Sequence, residues 1–106
     1  MIDEQRVRTG KLRATGEARR ETSDEAAATL ALRALAHIAG DEELGPRLLE
    51  TTGLDVATLR ARAGEPVVLA EVLAFLTNHE PSLLACAEAL DVPPLQLADA
   101  ERTLRA

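Results

Sequence analysis

The stretch LLETTGLDVATLRARAG, residues 48–64, decides how the whole chain is read. It ends one helix near Thr52, turns at Gly53 and opens another behind Asp55. Asp55 is a good N-cap, and Leu54 before it with Leu59 four residues after it has the spacing of a hydrophobic staple. Two short helices around a glycine turn frame a DNA-reading helix-turn-helix, but they equally describe two helices that only pack together. The second helix must then supply a reading surface. Arg60 and Arg62 stand two residues apart and point about 200° away from each other, so no face gathers cations. A similar turn lies in ACAEALDVPPLQLADAERTL, residues 85–104, where Gln96 is offset by Asp99 and Glu101, which would face phosphates. Packing is the reading the residues favour.

The charge distribution agrees. The 106-residue chain carries a net −6, unevenly. Residues 1–22 hold Arg6, Arg8, Lys11, Arg13, Arg19 and Arg20 against Asp3, Glu4, Glu17 and Glu21, a balance of +2 that leaves −8 for the rest. An acidic body repels phosphate backbones, and useful affinity takes roughly six to ten phosphate contacts. Only the leader could draw nucleic acid or an anionic membrane.

Working outward, the expected fold is all-α. The 46% hydrophobic content calls for a packed core, and with Phe75 as the one aromatic that core must be Leu and Ala. We expect residues 1–22 to be a flexible, disordered charged leader and residues 23–106 a single helical domain, a compact bundle of five to six short helices. Helix 1 should start at a Ser23 or Asp24 cap and stop at a left-handed Gly40. Its polar positions Glu25, Thr29, Arg33 and His37 recur every fourth residue, a slowly winding stripe that leaves the other sides apolar and the helix largely buried. Pro46 suits position N1 of a short helix ending at Gly53, and the helix after Asp55 should end at Gly64. Pro66 opens VVLAEVLAFL, a helix buried nearly all round and, with helix 1, the centre of the fold. A fifth helix to Leu90 offers Leu83, Leu84, Ala87 and Leu90 inward, and Asp91 caps a sixth carrying Leu95, Ala98 and Leu104.

One echo runs through the chain. Leu54-Asp55-Val56 with Leu59 matches Leu90-Asp91-Val92 with Leu95 at a spacing of 36 residues. It reads either as a duplicated helical hairpin or as two ordinary Asp-capped helices.

The chemical inventory is thin. The single cysteine, Cys86, excludes an intramolecular disulfide and fits a reducing compartment. No apolar run reaches membrane-spanning length and no secretory h-region is present, so no membrane association and a cytoplasmic location are expected. His37 and His79 are the only imidazoles, and Ser23 and Ser82 the only serines. His79 and Cys86 are seven residues apart, two turns of helix, where a Cys–His pair or a metal site would need a third group. A small core residue and two surface or rim histidines explain them better. With no phosphate loop, CxxC pair or HExxH, we expect no catalytic residue, no metal site and no cofactor. Arg47 and Arg60 form a candidate anion or partner contact should the chain fold back at Gly53, against the alternative that each pairs with Glu43, Glu50, Asp55 or Glu65. Two nearly all-apolar helices in so small a domain leave room for an exposed apolar surface, and Leu83, Leu84 and Leu95 are the candidate partner residues.

The stretches Ala34-Leu35-Ala36, Asp41, Arg47-Leu48-Leu49, Thr52-Gly53-Leu54, Leu59-Arg60, Pro66, Leu69, Val72-Leu73 and Phe75-Leu76 together resemble a bacterial domain-of-unknown-function family, number three-five-seven-two in that series. The resemblance spans about residues 26–104. It implies short, stand-alone helical proteins in a bacterial cytoplasm, and no activity. Two positions depart from it: His37 stands where the family is usually aromatic, and Asn78-His79 where an acidic residue precedes Glu80. The expected function is a non-enzymatic protein–protein interaction or regulatory module, acting on an unidentified protein or by self-association. The alternative is a nucleic-acid binder using the helical hairpin and the basic leader.

Overall fold

A computed structural model describes residues 23–106 of the chain, so the expected leader lies outside the described residues. Among the described residues there are six helices and no strand. They are α1 (residues 23–39), α2 (Leu44–Thr52), α3 (Val56–Arg62), α4 (Pro66–Thr77), α5 (Glu80–Leu90) and α6 (Pro94–Arg105).

The centre is α4. Pro66 sits at its start, where a missing N–H costs nothing, and the run behind it buries Val68, Leu69, Ala70, Val72, Leu73 and Leu76. α4 packs most extensively on α6, then on α5 and α2. Its apolar residues cover several sides of the helix, as the sequence pattern requires. Each fully buried leucine is worth about 1.5–3 kcal/mol relative to an exposed one.

α1 departs from expectation. It buries Ala27, Leu30, Ala31, Ala34 and Ile38, one i, i+3, i+4 face, while Leu32, Ala36 and Ala39 are exposed. The pattern does have two apolar faces: one is buried in the core, and on the other Leu35 packs against the core while Leu32, Ala36 and Ala39 stay exposed. Ser23 is already helical, so neither it nor Asp24 is the N-cap. Gly40 is not left-handed either: among the described glycines only Gly53 has a positive φ. The chain leaves α1 through Gly40 N–H to the Ala36 carbonyl and Asp41 N–H to that of Ile38. The Asp41 carboxylate then accepts from the amides of Glu43 (2.9 Å) and Leu44 (3.0 Å). That cap starts α2 two residues before Pro46, which falls in the first turn, where amides lack intrahelical partners anyway.

The hinge in the opening stretch is as read. Gly53 closes α2 at φ 73°, its N–H donating to Leu49, and Asp55 caps α3 by accepting from Thr58 N–H at 2.7 Å. α3 ends at Arg62, two residues short of Gly64.

The echo of that hinge at Asp91 is not structural. Asp91 does not cap α6; it closes α5 in the left-handed conformation, at φ 58°. Val92 N–H reaches back to Ala87 and Asp91 N–H to Glu88, a Schellman closure in which aspartate stands where glycine usually does. The two Leu-Asp-Val runs therefore do opposite jobs, one opening a helix and one ending a helix.

α6 also sits in a different phase from the expected one. Leu97 and Ala100 are buried and Leu104 partly so, while Leu95 is 66% exposed. The inward stripe is 97, 100, 101 and 104, and its third member is Glu101, whose charge disguises the pattern. Glu101 is held between Thr77 Oγ1 (2.9 Å) and Arg105 (3.1 Å), and Arg105 also approaches Glu71. On α5, Leu84 is exposed rather than inward, and the buried positions are Ser82, Cys86 and Ala87.

Candidate functional site

The opening stretch ends up on the surface around a groove. α2 and α3 make no extensive contact with each other after the Gly53 turn. Together with the outer face of α1 they enclose an open depression of about 590 Å³. α1 contributes Leu32, Leu35, Ala36 and Ala39, and α3 with its C-cap residue contributes Val56, Leu59, Arg60 and Ala63. Both sets have the spacing i, i+3, i+4, i+7, so each is a single helical face. α2 supplies Gly45, Pro46, Leu48 and Leu49, and Ile38 with Leu48 connects the groove to the core.

Twelve of the thirteen lining residues are aliphatic, glycine or proline, and Arg60 is the one charge. Leu32 at 44% and Val56 at 53% exposure are among the five exposed large hydrophobic residues of the described chain. α3 itself has no buried residue, although Leu59 packs against the core. The helix that looked like a DNA reader thus turns its apolar face to an open groove. Of its two arginines, Arg62 is held by Glu65 at 3.1 Å, while Arg60 makes no ion pair with a described residue.

The sequence candidates fall in separate places. Arg47 does not converge with Arg60. It lines a second depression of about 400 Å³ with Glu50, Thr51, Glu71, Asn78, His79 and Ser82. There His79 Nδ1 and Ser82 Oγ are 2.6 Å apart, joining the N-cap residue of α5 to the third position of the same helix. His79 is exposed and Cys86 fully buried, so the spacing of seven brings no pair together. Burial pushes the Cys86 thiol above its usual range, with the charge of Arg33 pulling the other way. Among the described residues no three His, Cys, Asp or Glu side chains are placed to hold a metal ion. Leu83 packs against the core, and Leu84 and Leu95 are exposed on α5 and α6, outside the groove.

The groove residues Leu32, Leu35, Val56 and Leu59 were not singled out from sequence. The signal was present: α1 has room for a second apolar stripe, and α3 is too short to bury one. Two apolar stripes on one helix look alike in sequence, whichever of them is covered.

No described helix is long and apolar enough to cross a membrane. No curated protein and no solved structure matches the chain. The family described as "Protein of unknown function (DUF3572)" matches residues 24–106, and the chain belongs to that family.

Proposed function

We propose that this protein is a small, non-enzymatic interaction module that takes an apolar segment of a partner protein into the α1–α2–α3 groove. The observation that carries this reading is the convergence of three helical faces on one open apolar depression with half-exposed Leu32 and Val56 at its edges. Leaving such a surface wet forgoes about 25 cal/mol for each Å² of apolar area that a partner would cover. The thiol of Cys86 is sealed in the core, and His79 lies 2.6 Å from Ser82 in the second depression, away from the groove. We place the module in the bacterial cytoplasm.

Site-specific photo-crosslinking in the cell tests the proposal. A photo-reactive residue at Val56 or Leu32 should give the same discrete protein adduct, and one at the exposed Glu88 of α5 should not. The adduct should vanish when Leu32→Glu is combined with the label at Val56. Equal adducts from all three positions, or an adduct indifferent to Leu32→Glu, would remove the groove as the site.

A further inference from the structure

We infer that the groove's occupant is a single amphipathic α-helix of another protein, seated by large apolar side chains at i, i+3 or i+4, and i+7, with a carboxylate on its flank paired to Arg60. This rests on the reading of the groove as a partner site and adds the partner's chemistry.

The dimensions set the shape. From Leu32 to Ala39, and again from Val56 to Ala63, is seven residues, about 10 Å of helix, so the groove matches two turns of an occupant. Ala36, Ala39 and Gly45 carry little or no side chain. They let an occupant's backbone approach closely and its anchors reach toward Ile38 and Leu48. A helix lying along the groove also covers Leu32 and Val56 at its edges, which a small ligand at the floor would leave wet.

The charge sets the polarity. Arg60 is the one charged lining residue and makes no ion pair with a described residue. A guanidinium beside an apolar groove favours a carboxylate, which it can grip through two N–H donors.

A second copy of this chain fits poorly. Its exposed large hydrophobics outside the groove, Val67, Leu84 and Leu95, lie on three different helices, α4, α5 and α6. Among the described helices, the half-exposed stripes with this spacing belong to α1 and α3, and both already form walls of the groove. Residues 23–106 also carry −8, which sets two copies against each other.

The experiment is selection of a phage-displayed library of 16-residue peptides on the full chain, followed by affinity measurement. The expected winners carry apolar residues at i, i+3 or i+4, and i+7, plus an Asp or Glu. Their affinity should fall at least ~10-fold for Leu32→Glu and for Val56→Glu, both at half-exposed sites. It should fall about 2–5-fold for Arg60→Gln, and equally when the peptide's acid is replaced by its amide on the unaltered protein. Helical winners that need Leu32 but show no acidic preference and no response to Arg60→Gln would overturn the carboxylate pairing while leaving the groove as the partner site. Winners indifferent to both glutamate substitutions, or no winners at all, would overturn the inference and the groove reading together. A dimer in sedimentation that Leu32→Glu converts to monomer would give the groove to a second copy and overturn the partner helix.

Discussion

Arg33 of α1 closes the C-terminus of α5: its Nη2 donates to the carbonyl of Leu90 at 2.9 Å, across 57 residues of sequence. The Schellman closure around Asp91 satisfies the carbonyls of Ala87 and Glu88, while Leu90, the last helical residue, has none of its own helix left to bond. A cation from α1 completes the end, where the helix dipole favours positive charge. The polar stripe of α1 is thus more than a solvated face.

Arg33→Gln should therefore loosen the α5–α6 junction first. We expect faster amide exchange at Asp91 and Val92 and a loss of about 0.5–1 kcal/mol in global stability. Exchange unchanged at those amides would show that the contact does not hold the helix end.

Core and surface leucines should separate sharply. Leu73→Ala removes a fully buried side chain of α4 and should cost about 2–5 kcal/mol. Leu95→Ala, at 66% exposure, should stay within about 0.5 kcal/mol of the parent. Denaturant melts test both, and a loss at Leu95→Ala comparable to that at Leu73→Ala would contradict the phase of α6 described above.

The two Leu-Asp-Val runs should respond oppositely to glycine. Asp91→Gly relieves a left-handed residue and should leave stability unchanged or raised, whereas Asp91→Val should cost about 1–2 kcal/mol. Asp55→Ala should lower the melting temperature, because Thr58 N–H loses its acceptor. Matching losses for Asp55→Gly and Asp91→Gly would contradict the different roles assigned to them.

Acid should act through the caps. Backbone amides of Leu44 and Glu43 hold Asp41 below the usual carboxylate range, Thr58 does the same for Asp55, and Arg62 for Glu65. Folded values below the unfolded ones, near ~4, mean that this stabilisation is complete above that pH and is lost as pH falls through the folded values. Thermal melts should show the Asp41→Asn, Asp55→Asn double variant losing less stability than the parent between about pH 5 and pH 3. Parallel curves would exclude the caps as the source.

Cys86 should be silent in the folded protein. It is fully buried and its thiol is pushed up by burial, so thiolate is scarce and inaccessible. Alkylation should proceed only as fast as the protein opens, and immediately in denaturant. Rapid labelling under native conditions would contradict the packing of α5.

Much of this was legible locally. The α4 run behind Pro66, the left-handed Gly53 and the Asp55 cap each depend on residues within a turn or two, and local chemistry sufficed for them. The Asp91 turn is not legible although its signals are local, because Leu-Asp-Val reads equally well as a start or a stop. What it becomes depends on a helix already packed up to Leu90 and on Arg33 arriving from α1. The groove was beyond local reading for the same reason. Periodicity shows that α1 has two apolar faces and α3 one, but it cannot say which of them find cover. Burial is a relation between segments far apart in the chain, and here only the assembled helices assign Leu30 to the core and leave Leu32, two residues on, at the edge of an open groove.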